Sequence, residues 1–143
     1  MCTITTHPDC LVAMRPIPCY KIMSVNKDGT FASALYGFEY TLGFTYRLDD
    51  NDFNSFPERN PSRWILKIEK GFHSYQRENT AKFELLNYGS GNWAIVKCEI
   101  PKGARYWPGD HGMAFCSDSI KPVKWKKAGE VAWHDVPPAP ACQ

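Results

Sequence analysis

Eleven prolines and ten glycines are scattered through 143 residues, and this punctuation constrains the chain more than any other feature. Proline brings no N–H to a helix or a ladder, and glycine weakens the interior of either element. Long helices are therefore excluded, and short strands joined by turns are favoured. Between the breaks, apolar residues recur at period two. The clearest case is Trp93 to Ile100, which sets Ala94, Val96, Cys98 and Ile100 on one face. Residues 19–25 and 30–36 are rich in β-branched and aromatic side chains. Asn26-Lys27-Asp28-Gly29 between them predicts a hairpin, because Asp-Gly supplies the positive φ of a tight turn.

Residues 38–42 and 44–48 alternate large apolar and polar groups, with Gly43 as a bend or bulge between two half-buried strands. Residues 64–69, 104–107, 115–116 and 120–125 complete the strand candidates, and Pro122 marks the last as an edge. One segment, 75–86, reads as a helix, with Ser74 as N-cap and Ala81, Leu85 and the Phe83/Leu86 pair as its apolar side. The expected fold is α+β: a bent antiparallel β-sheet of six to eight strands with one short helix. Residues 1–17 are read as an N-terminal arm, 18–134 as a single globular domain, and 135–143 as a flexible proline-rich tail.

Hydrophobic residues at 43% and charged residues at 22% lie near the globular norm, so wholesale disorder is excluded. Apolar runs are too short for a membrane span, and Met1 to Pro8 lacks the basic-then-apolar layout of a secretory leader. No membrane partner and a cytoplasmic location follow as expectations. Six cysteines at 2, 10, 19, 98, 116 and 142 contain no CxxC pair and the four histidines are scattered, so a metal site is not expected. All six cysteines are expected as thiols, with Cys98 a small buried hydrophobe.

A formal net charge of +2 is too mild to imply nucleic-acid binding by itself. The distribution is more informative. From 97 to 127 the basic residues Lys97, Lys102, Arg105, Lys121, Lys124, Lys126 and Lys127 outnumber Glu99, Asp110 and Asp118, with Lys126 read as part of a solvated face. An acidic counterpart stands at Asp49-Asp50-Asn51-Asp52.

The chain carries no Walker loop, GxGxxG, GxSxG, HExxH or EF-hand signature. Its most suggestive stretch is Gly71-Phe72-His73-Ser74-Tyr75 ahead of the helix candidate. A helix start offers free N–H groups to an anion. The candidate ligand site is therefore His73, Ser74 and Tyr75, with Arg105 approaching from a second turn, Trp107 or Tyr75 stacking on a base, and Asp118 nearby. The competing reading makes His73 and Ser74 simple helix caps and the aromatics core.

The run Gly71 to Tyr75, a helix with Ala81, and Val96-x-Cys98-x-Ile100-Pro101-Lys102-Gly103 resemble small phage and prophage proteins with a Gly-Phe-His signature. The layout is also loosely similar to that of ADP-ribosyltransferases. The second resemblance implies that Ser74 matches the Ser-bearing motif, that Asp118 is the only acid where a catalytic glutamate is sought, and that Lys21 beside Tyr20 stands for the basic group of the first strand. The first implies a small non-catalytic binding protein acting on host defence. It would sequester a nucleotide-like anion or mask a host protein, without a cofactor, in the host cytoplasm. A degenerate transferase using Ser74, Asp118 and Tyr20 and a virion component are the alternatives, and a site completed across a homo-oligomer interface stays open.

Overall fold

The computed structural model describes residues 3–5, 10–34, 37–49, 59–60, 65–68 and 71–139, with 3–5, 59–60 and 65–68 as backbone. In chain order the strands are β1 (Thr3–Thr5), β2 (Leu11–Val12), β3 (Ile17–Val25), β4 (Phe31–Ser33), β5 (Glu39–Tyr40), β6 (Tyr46–Arg47), β7 (Arg59–Asn60), β8 (Ile65–Ile68) and β9 (Phe72–Tyr75). Helix α1 (Glu78–Leu85) follows, then β10 (Trp93–Ile100), β11 (Arg105–Gly109), β12 (Ala114–Ser117) and β13 (Ser119–Lys127). Ten of these strands form one antiparallel sheet, more than the six to eight expected, while β1, β8 and β7 form a second, small sheet. The excess is β2, too short to show a period, and β9, whose residues read as the approach to a helix.

The large sheet bends until its pairings return on themselves. β2 and β3 run in continuous register along one side of β10 and β11, from Leu11 opposite Tyr106 to Ser24 opposite Trp93. β12 and β13, separated only by Asp118, run along the other side. β9 then pairs with β12 and, through the single Tyr20–Tyr75 pair, with β3. The inner face of this ring holds the main core: Cys19, Met23, Phe72, Val96, Cys98, Ile100, Phe115, Ile120 and Trp125 are all buried. The expected face of β10 is therefore the inner one, with Ala94, Val96, Cys98 and Ile100 fully inaccessible.

The turn at 26–29 forms as its sequence dictates. Gly29 adopts φ 86°, and the Asp28 carboxylate accepts from the Thr30 N–H at 3.0 Å. Pro122 sits beside the register shift between Lys97 and Cys98, where a missing N–H costs no ladder bond. β13 is nevertheless no simple edge, since β6 pairs with its first two residues.

Three expectations need correction. Helix α1 begins at Glu78, and its N-cap is Arg77 with no side-chain capping bond; Ser74 is a β9 residue. The helix buries Ala81 and rests Leu85 on the outer face over Ile22 and Ile95, leaving Phe83 and Leu86 exposed. The Phe83/Leu86 pair is thus not its packing face. The terminal segments, moreover, are held where they are described. Ala13 is buried and exchanges backbone hydrogen bonds with the 103–104 turn. At the other end Val136 accepts the Trp125 indole N–H at 2.7 Å, and Pro138 is buried against Gly29. Residues 140–143 lie outside the described residues.

Candidate functional site

Antiparallel partners point to the same face, so the register fixes where each candidate side chain goes. Trp107, Cys116 and His73 form one row across β11, β12 and β9 on the outer face, and Tyr75 follows His73 on that face. Trp107 and Cys116 are wholly inaccessible, with Cys10 packed on them, and β1 lies over this patch. Trp107 is therefore not a stacking platform. His73 Nε2 lies 3.9 Å from Cys116 Sγ. Burial pushes the Tyr75 phenol well above its ordinary value, with the Tyr88 phenol adding to the effect. Ser74 faces the opposite way, into the barrel, and is 1% exposed. Its hydroxyl makes no geometrically complete hydrogen bond. The helix-start pocket expected around Ser74 does not form, because α1 starts only at Glu78, Ser74 points inward from β9, and Tyr75 packs on the outer-face cluster that includes Ala81 of the helix.

Arg105 and Asp118 do come together. The kink that separates β12 from β13 is closed by backbone bonds: the Asp118 N–H donates to the Arg105 carbonyl at 3.0 Å, and the Leu48 N–H donates to the Asp118 carbonyl at 2.9 Å. The side chain closes it a second time. Asp118 Oδ1 accepts from the Arg105 N–H at 3.1 Å, and Oδ2 accepts from Arg105 Nε at 3.0 Å. Ser119 Oγ adds a third donor to Oδ1 at 3.1 Å. Both groups are largely withdrawn from solvent, which keeps such a charge-assisted pair ordered.

This corner opens on a polar hollow of about 320 Å³. Arg47 arrives from β6, Lys102 and Gly103 from the turn after β10, Arg105 from β11, and Asp118 and Ser119 from the kink. Among the described residues, three cationic side chains and one carboxylate line it. Arg47 escapes a sequence search because it sits in a two-residue strand. Lys102 is visible only as one lysine among many. The signal for Lys102 was the Lys102-Gly103-x-Arg105 turn, already adjacent to a candidate; Arg47 had none.

A larger groove of about 580 Å³ lies between the end of α1 and the end of β13, with Leu85, Leu86, Trp93 and Val131 among its walls. Lys126, read from sequence as solvated, is 3% exposed here. Its ammonium bonds Glu78 Oε1 at 2.6 Å and lies 4.4 Å from the Trp133 ring centre.

Among the described residues no three His, Cys, Asp or Glu side chains are grouped to hold a metal ion. No helix among them is long and apolar enough to cross a membrane. Compared with protein-family models, curated proteins and solved structures, the chain matches none.

Proposed function

We propose that the chain is a non-catalytic binding protein for a phosphate-bearing, nucleotide-like anion, held at the corner between β12 and β13. One observation carries the reading: Arg47 from β6, and Lys102 and Arg105 from the turn between β10 and β11 and the start of β11, converge on a polar hollow where Asp118 is the one carboxylate among the described residues. Asp118 takes the Nε edge of the guanidinium and so fixes the plane in which its terminal nitrogens lie. A hollow of this volume is at the small end for ligand sites and suits the phosphates of a nucleotide more than the whole molecule. No aromatic ring lines it among the described residues, and recognition by charge weakens with salt.

Binding is favoured over group transfer because Ser74 and Asp118, the pair a transferase layout would use, face different spaces. Ser74 points into the barrel; both carboxylate oxygens of Asp118 accept hydrogen bonds in the corner. The setting implied by the Gly-Phe-His resemblance, withdrawal of a signalling nucleotide from host defence, asks for such a site. The alternative, masking a host protein, has its own feature in Leu86 and Val131, which stand exposed beside Lys82 and Lys127 at the apolar groove.

Titration calorimetry of the full chain with inorganic pyrophosphate, ADP and adenosine tests the reading. Pyrophosphate and ADP should bind and adenosine should not. Arg105→Ala should weaken binding by about 1.5–3 kcal/mol, the range for a hydrogen bond to a charged group. No heat with either phosphate compound at low salt, or equal binding of adenosine, would sink the proposal.

A further inference from the structure

The inner face of the barrel holds a group of reactive side chains that an anion site at the corner does not use. Cys19 and Cys98 are direct partners in the β3–β10 register, and both are wholly inaccessible. Directly opposed antiparallel residues have Cα atoms about 4.5–5.5 Å apart, inside the window for a disulfide. Their Cβ atoms, about 4.5–5.5 Å apart, must draw in by roughly 1 Å. Lys21, two residues along β3, points to the same inner face, where a lone ammonium is costly. It donates to the His73 carbonyl and lies 6.0 Å from the Tyr40 ring centre. The Cys98 thiol is turned toward the Val96 carbonyl, 3.6 Å away, as a protonated sulfur would be.

We propose that Cys19 and Cys98 are an oxidisable pair, converted by hydrogen peroxide to a cross-strand disulfide inside the barrel, with the Lys21 ammonium on the same face favouring the thiolate that attacks. Electrostatics favour Cys19 as the attacking sulfur. Burial pushes both thiols up and the Lys21 charge favours both thiolates, but the nearby Cys98 thiol and Ser74 hydroxyl bring Cys19 below its ordinary value, while Cys98 stays well above. The Cys19 thiolate attacks one peroxide oxygen, the O–O bond breaks, and the departing hydroxide takes up a proton as water. Cys98 then attacks the sulfenic sulfur; the S–S bond forms, the S–O bond breaks, and hydroxide leaves with the Cys98 proton as a second water. Two thiols and one peroxide thus give one disulfide and two waters. Peroxide is close to water in size, and the wall it must pass is weakest where β9 meets β3 through one residue pair. A bulky alkylating reagent is excluded from the same place.

The test is peroxide treatment of the full-length protein in native buffer, followed by alkylation under denaturing conditions and peptide mapping. A peptide linking Cys19 to Cys98 is expected, removed by reductant, with the circular dichroism of the folded protein kept. In Cys98→Ser the reaction should stop at Cys19 and yield a dimedone adduct there. Lys21→Met should slow disulfide formation by about tenfold for each unit that the Cys19 pKa rises. Absence of the linked peptide in folded protein, together with no dimedone adduct at Cys19 in Cys98→Ser, overturns the proposal. So does an unchanged rate in a folded Lys21→Met variant.

Discussion

Replacing Lys126 removes a charge that the fold has enclosed, and its cost can be worked from three contacts. The ammonium bonds Glu78 at 2.6 Å, with side-chain exposures of 4% and 29% for Lys126 and Glu78. Breaking a buried ion pair from one side costs about 3–5 kcal/mol. Glu78 is partly solvated and keeps Lys82 at 3.5 Å, so the lower end applies. The cation–π contact with Trp133 contributes about 0.5–2 kcal/mol. Lys126→Ala, which also empties the space of the aliphatic stem, should therefore destabilise by about 3–4 kcal/mol. Lys126→Met keeps the stem and avoids burying an ammonium, and should cost about 1.5–2 kcal/mol. Urea unfolding at neutral pH measures both. The Lys126 bond, ahead of its charge and that of Lys82, holds the Glu78 carboxyl below its ordinary value of 4.5. The folded pKa is thus below the unfolded one, so this stabilisation is complete above pH 4.5 and is lost as pH falls through the folded pKa. The gap between wild type and Lys126→Met should close in that acid range. A Met variant within about 0.5 kcal/mol of wild type at neutral pH would refute the account.

Gly29→Ala should unfold at lower temperature and expose residues 135–139 to proteolysis, since Gly29 sits at φ 86° and an added Cβ would lie 2.4 Å from the Pro138 carbonyl oxygen; an unchanged melting temperature would contradict the packing of that segment. Asp118→Asn should strengthen pyrophosphate binding, since a charge that repels the anion is removed, while losing about 1–2 kcal/mol of stability as the corner loses its ion pair, measured by calorimetry and urea unfolding. Loss of binding with stability intact would point to a direct role for the carboxylate. Maleimide labelling of native protein should reach the half-buried Cys10 well before Cys98, and fast modification of Cys98 would overturn the inward register of β10.

The strand β10 and the 26–29 turn could be read from the chain alone because each is governed by local physics. One follows a period-two pattern with every second residue apolar; the other follows a dipeptide that tolerates positive φ. β9 obeys the same alternation but with inverted chemistry. Phe72 and Ser74 point in, while His73 and Tyr75 point out. A serine directed into a core gives no hydrophobic signal, and Ser before an apolar stretch imitates an N-cap. Lys126 was hidden for a similar reason. The run Lys124-Trp125-Lys126-Lys127 reads as solvated, yet only the position of α1 over the outer face decides which lysine is enclosed. That is a tertiary fact, with no counterpart in local pattern.

The corner site lies at the far end of this scale, since nothing local joins Arg47 to the turn that carries Lys102 and Arg105. They meet because a closed ring of few strands must bend sharply, and the chain bends at Asp118, between β12 and β13. At such a kink the ladder is interrupted and backbone groups need other partners. Asp118 meets the requirement on both sides, pairing through its own backbone with Arg105 and Leu48 and through its carboxylate with the Arg105 N–H and guanidinium. The carboxylate that closes the fold thereby gathers cations around the gap that the kink leaves. Structural demand and ligand recognition then oppose each other in a single residue, because the anion that the three cations attract is repelled by Asp118. Among the described residues the cations that line this corner outnumber the carboxylate, and that excess favours an anion. An anion of two or more charges gains most from it, which is why pyrophosphate, and not a neutral nucleoside, is the discriminating probe.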